Sequence, residues 1–242
     1  MKKIAVSLIV LAMIAFGTVD LVAAQKPTIL PVGPGVTKEE FEAKRAEIKN
    51  SMEQKQTELR SQIETKRAQL KSQIEAKKTE LKTRLAKIKD ENKKQIVERI
   101  YNQVNELNKR MTDHFLNVLE KLEKILERIS SRAAKAEANG QDISAVQTAI
   151  TEATNAINTA KTAVQNQATK VYSVTVNTES TLKTDIGKNR QVLHNDLMAV
   201  QKTVRDAQEA VRKAATTLAQ IPRVNELEIP TTQPATTTQP TP

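Results

Sequence analysis

The chain has 242 residues, no cysteine, two histidines and only 2% aromatic residues, with a formal net charge of +10. That excludes disulfides, thiolate nucleophiles and Cys-ligated metals. It also argues against a large enzyme core, because Ala, Lys, Glu, Gln, Thr, Ile and Leu dominate, a composition suited to long helices.

Residues 1–24 open with Met1-Lys2-Lys3, followed by an apolar run from Ile4 to Phe16 and by Val22-Ala23-Ala24. A basic start, a short apolar stretch and small residues at the −3 and −1 positions form the pattern of a secretory signal peptide. Thirteen apolar residues reach roughly 20 Å, short of a hydrocarbon core of about 30 Å, so cleavage after Ala24 is expected rather than retention as an anchor. The mature chain is expected to be exported, to the periplasm or the cell surface. Residues 25–37 hold three Pro and two Gly before Thr37 and read as a linker.

Thr37 and Glu40 have the spacing of a capping box, so a helix is expected from Lys38. An 11-residue repeat follows: EEFEAKRAEIK (39–49), NSMEQKQTELR (50–60), SQIETKRAQLK (61–71) and SQIEAKKTELK (72–82), with a decayed copy over 83–93. Its large apolar residues run from Phe41, Ile48 and Met52 to Ile74, Leu81 and Leu85, alternating by 7 and 4. Eleven residues make three helical turns, so these side chains form one nearly straight stripe. Residues 38–96 are therefore expected to form a basic helical stalk projecting beyond the rest of the chain. Two large apolar side chains per repeat are too few to order such a stalk alone, so a partner helix, a second copy or a surface is expected to cover it.

From Val97 the spacing changes to heptads. Val97, Ile100, Val104, Leu107 and Met111 give one seam; Ile143, Val146, Ile150 and Ile157 a second; Leu193, Leu197, Val200, Val204, Val211 and Leu218 a third. Gly140 and Asp142 suit a helix end and a new start, the β-branched stretch 171–180 weakens helix, and Pro222 stops the last run. Residues 97–221 are expected to form an antiparallel three-helix bundle, or a hairpin if the second and third stretches fuse. Residues 222–242 are Pro/Thr-rich and are expected to be disordered. The expected fold is thus all-α: an elongated coiled coil in which a long hendecad-repeat helix continues into an antiparallel hairpin or three-helix bundle, with disordered tails.

Charge is uneven. Lys66, Arg67, Lys71, Lys77, Lys78 and Lys82 flank the apolar stripe at 100° per residue, while Glu42, Glu53, Glu64 and Glu75 lie further round. These six cations are the candidate contacts to an anionic membrane or wall polymer. The order of apolar stripe, basic flanks and outer acids is similar to the 11-residue amphipathic repeats of exchangeable apolipoproteins and of some desiccation-protective proteins. The resemblance covers 39–93, with a narrower apolar face, and implies lipid adsorption by that segment. The export signal and basic helices also resemble those of Skp-like periplasmic holdase chaperones, whose β-stranded body has a counterpart here only in the short stretch 173–176.

Neither a Gly-rich phosphate loop nor a zinc-protease motif is present, and His114 and His194 have no nucleophile or ligand partners at motif spacing. A non-enzymatic role is expected, with no cofactor, no metal and no small-molecule substrate. Nucleic acid is not an expected partner, because no stacking aromatic lies between Phe41 and Tyr101. The expected function is that of an exported structural or interaction protein of the bacterial cell envelope. Its seams would pack against a second copy or against partner helices.

Overall fold

The structure is a computed structural model that describes residues 37–176 and 178–227. The expected signal peptide, nearly all of the expected linker and the tail beyond residue 227 lie outside the described residues. The described chain is all-helical, with four helices: α1 (Lys38–Leu85), α2 (Glu91–Ala138), α3 (Ser144–Ala168) and α4 (Leu182–Leu218).

Helix α1 begins where its capping box places it. Thr37 Oγ1 accepts from the Glu40 N–H and Glu40 Oε2 accepts from the Thr37 N–H, satisfying two donors that the first turn leaves free. The helix does not run on into α2. It stops at Leu85, and Asp90 starts α2 by accepting the Lys93 N–H at 3.2 Å. The five-residue turn between them contains neither Gly nor Pro. It is held by Ile88, which is buried beside Leu81, Leu85, Val97 and Tyr101.

That turn corrects the expected projecting stalk. α1 and α2 have 48 residues each, about 70 Å, and α1 lies antiparallel along α2. The pairs Arg60–Glu120, Arg67–Asp113 and Lys82–Glu98 fix the register, each pair of residue numbers adding to 180. The reason is the apolar stripe. Phe41, Ile63, Leu81 and Leu85 are buried, and Ile48, Met52, Leu59, Leu70 and Ile74 are half-buried. Each buried side chain of that size contributes about 1.5–3 kcal/mol. The cover that the stripe requires comes from the same chain.

α2 packs on α3 and α4, and α3 packs on α4; α1 lies on α2 and the edge of α3, and shares with α4 the cluster that holds Leu81, Leu85 and Leu182. Between α3 and α4 the described chain is non-helical over 169–176 and 178–181, in and around the β-branched stretch. Here burial alternates strictly: Tyr172, Val174 and Val176 are buried, Ser173 and Thr175 exposed. The segment has the period of a strand, but no strand forms among the described residues.

The seams are the core. Fourteen of the fifteen expected seam residues are buried or half-buried, and one is misplaced: Leu107 is 38% exposed. The buried line on α2 runs through Val97, Tyr101, Val104, Asn108, Thr112, Phe115 and Leu119. After Val104 it leaves the line read from the sequence, which continued through Leu107 and Met111: the polar Asn108 and Thr112, one position further along, are the buried residues. The tail boundary also shifts. Residues 222–227 continue onto the core, with Val224 buried and Leu227 half-buried.

Candidate functional site

Two features stand out once the helices are in place: a clasp of asparagines around the extended segment, and a pole of positive charge.

The clasp begins with the backbone of 170–173, which has no neighbouring strand to pair with. Buried peptide groups left unpaired are costly, so side chains serve instead. Asn105 Nδ2 donates to the Tyr172 carbonyl at 3.0 Å, and the Tyr172 N–H donates to Asn105 Oδ1 at 2.9 Å. One amide thus makes both bonds of a strand neighbour. Asn108 Nδ2 donates to the carbonyls of Gln167 and Lys170, capping the last turn of α3 from a different helix. Asn189 Nδ2 donates to the Ser173 carbonyl at 2.8 Å.

The side chains inside the clasp form a connected chain. Gln167 Nε2 donates to Asn108 Oδ1 at 2.8 Å and to the Tyr172 hydroxyl at 2.7 Å, and that hydroxyl donates to Asp196 Oδ2 at 2.6 Å. Asp196 also pairs with Lys170 at 3.0 Å. Burial first, and then the neighbouring carboxylate, push the Tyr172 phenol well above its ordinary value. Burial acts to raise Asp196, but hydrogen bonds from Tyr172 and Lys170 outweigh it and hold the carboxyl low. A neutral phenol and an ionised carboxylate, both partnered, make a structural lock. Tyr101 is raised by burial, with a smaller contribution from the Glu75 charge, and its hydroxyl donates to the Ile74 carbonyl across the α1–α2 contact.

The charge pole is at the opposite end from Thr37 and Leu227. Phe41 packs on Ala134, and Val224 lies in the same cluster as Ala136 and Ile143, so Thr37 and Leu227 emerge at one end. Ile88, Val174, Val176 and Leu182 cluster at the other. Residues 71–99 and 170–190, which build that far end, hold 14 Lys/Arg against 7 Asp/Glu, a net +7 in a chain of +10. Lys71, Lys78, Lys87, Lys89, Lys183 and Lys188 make no ion pair among the described residues. Lys93 is drawn into the fold by Glu179, which raises the ammonium and lowers the carboxyl through one hydrogen bond of 2.7 Å.

Of the six cations expected to meet an anionic surface, Lys66, Lys71, Lys77 and Lys82 are exposed and Lys78 is half-buried. Arg67 is turned inward. Its guanidinium donates to Glu64, Asp113 and Thr112 Oγ1, with its side chain only 12% exposed. Lys77 bonds Glu80, and Lys82 lies 3.8 Å from Glu98. Three of the four arginines of α1, Arg45, Arg60 and Arg67, reach acids on α2, where a planar fork suits a carboxylate; the fourth, Arg84, pairs with Glu80 on its own helix. Both histidines are exposed, His114 with its ring tilted against Phe115. No group of three metal-ligating side chains occurs among the described residues, and no described helix is long and apolar enough to cross a membrane. The comparisons with known proteins find no matching family model, curated protein or solved structure.

Proposed function

We propose that this chain is an exported, non-enzymatic coiled-coil structural and interaction protein of the bacterial cell envelope. In this reading the helices form a rod of about 70 Å that holds a basic pole away from the end that carries Thr37 and Leu227. The observation that carries the reading is the polarity of charge: the segments 71–99 and 170–190, remote from Thr37 and Leu227, carry a net +7. Heads of Lys71, Lys87, Lys89, Lys183 and Lys188 stand in solvent there. They suit an anionic envelope surface, to which each cation near it adds about 1 kcal/mol. The seams are occupied within one chain, so docking through them is replaced by docking through the pole.

Co-sedimentation with phosphatidylglycerol and phosphatidylcholine vesicles at low and high salt tests this. Binding is expected to the anionic vesicles alone, to fall steeply with salt, and to be lost in a Lys87→Glu/Lys89→Glu/Lys183→Glu variant. Equal binding to both vesicles, or an unaffected variant, would refute it. Export is tested by sequencing the amino terminus of the protein from producing cells. Gln25 is expected there, and Met1 would overturn it.

A further inference from the structure

We infer that the groove between α2 and α4 is a docking site for an acidic amphipathic helix of a partner protein. Three helices packed on one another, as α2, α3 and α4 are, leave a groove between each pair. α1 fills the groove between α2 and α3. Its Gln56 donates to Glu123 of α2, which also accepts from Lys161 of α3, and its Gln62 accepts from Gln165 of α3. The groove between α2 and α4 has no such cover among the described residues.

The floor of this groove is apolar. Ile100 of α2 and Leu197 of α4 pack on one cluster with Val104 and Leu193. Met111 and Val118 continue the α2 side half-buried, while Leu107 and Ile125 stand 38% and 43% exposed. At 100° per residue Ile100, Leu107, Met111, Val118 and Ile125 fall within about 40° of one another, on the flank of α2 opposite to the acids that meet α1. From Ile100 to Ile125 the line runs for about 38 Å.

α2 carries opposite charge on its two flanks. The flank towards α1 holds Glu98, Asp113, Glu120 and Glu127, and each of them pairs with a lysine or arginine of α1. The flank towards the open groove holds Arg110, Lys121 and Arg132, about 20–60° round the helix beyond Leu107 and Ile125. Across the groove, Arg205 and Arg212 lie about 60–80° round α4 from Leu197, on the side away from Asp196. These five cations are exposed, and none has an ion pair among the described residues. Neither flank holds an Asp or Glu: Glu106 and Glu209 stand on the outer backs of the two helices.

The groove that α1 occupies shows what fits. α1 brings an apolar stripe with cations beside it, and those cations meet the acidic flank of α2. The open groove inverts the charge, so its occupant carries carboxylates beside an apolar stripe. Four of the five cations are arginines, whose planar fork suits a carboxylate. The same inversion keeps α1 out, because Lys66, Lys71 and Lys77 beside its stripe would face Arg110 and Lys121. It also excludes a second copy seated groove to groove, which would set like charges against each other. The half-buried floor lies below exposed rims, so the surface suits a rod and not a flat membrane. About 38 Å accommodates a helix of about 25 residues.

This goes beyond the reading of the basic pole, since the five cations lie outside the segments 71–99 and 170–190. The probe is the α1 repeat with its charges mirrored: a labelled peptide of residues 50–82 in which every Lys and Arg is replaced by Glu and every Glu by Lys. It keeps the apolar stripe and sets acids beside it. Fluorescence anisotropy with the purified protein should show the mirrored peptide binding. The unmodified 50–82 peptide should not bind, because α1 already fills the groove that suits it. Arg110→Glu/Lys121→Glu and Leu107→Asp should each weaken the mirrored peptide by at least about tenfold, both variants keeping their helical circular dichroism. At about 0.15 M salt, where charges more than roughly 8 Å apart are screened, the Lys87→Glu/Lys89→Glu/Lys183→Glu variant should bind it within about twofold of wild type. The Arg110→Glu/Lys121→Glu variant should still sediment with phosphatidylglycerol vesicles, so failure of the pole and failure of the groove are told apart. No binding of the mirrored peptide, equal binding of the two peptides, or binding that survives Leu107→Asp would overturn the inference. Loss of vesicle binding in Arg110→Glu/Lys121→Glu would also overturn it, by assigning this face to a membrane.

Discussion

Replacing Asn105 by Ala tests whether side chains substitute for a missing strand. Asn105 makes two bonds to one residue, from its Nδ2 to the Tyr172 carbonyl and to its Oδ1 from the Tyr172 N–H. Truncation leaves both backbone groups without these partners, and Tyr172 is only 4% exposed. An unsatisfied buried group costs about 1–3 kcal/mol. Water entering the vacated space recovers part of that, so about 3 kcal/mol is expected for the pair. For a domain of this size that corresponds to a fall in Tm of about 6–12 °C. Asn105→Asp keeps the acceptor and loses the donor, so its effect should fall between Ala and wild type at neutral pH. Urea denaturation gives the energies, and hydrogen exchange of the Tyr172 amide reports the bond itself. A loss below about 0.5 kcal/mol together with an unchanged Tyr172 amide would refute the clasp.

Ile63→Ala removes the α1 residue most deeply set in the main core, at 1% exposure beside Phe115 and Leu119, and should cost about 2–4 kcal/mol in denaturation. Exchange in such a variant should rise across α1 before it rises in α3. Arg67→Met keeps the stem and removes the guanidinium from Asp113, Thr112 and Glu64; about 1–3 kcal/mol should be lost, where a solvated surface arginine would lose almost nothing. Both tyrosines have folded values raised above the unfolded one. The folded state therefore holds its phenolic protons longer, and stability is intact below about pH 10 and lost as pH rises above it. Absorbance titration near 295 nm should show tyrosine ionisation delayed past the ordinary range and coupled to unfolding; two tyrosines that titrate normally in the folded chain would contradict this.

The sequence made the helices legible, because period and capping are local. Thr37 and Glu40 announce α1, and the alternation of 7 and 4 fixes which face of it is apolar. It did not reveal that α1 turns back. The turn at residues 86–90 has no Gly or Pro, and its signals, a buried Ile88 and an Asp90 cap, resemble the interior of a charged repeat. The α2 seam was read one step wrong for a related reason. A rule that selects apolar residues passes over Asn108 and Thr112, which are buried because the end of α3 needs a donor and Arg67 needs an acceptor. Those needs belong to other elements and cannot be seen from α2 alone. The basic pole was half legible. Its lysines lie in one stretch of sequence, but that residues 170–190 join them, and that Arg67 leaves them, follows only from the fold.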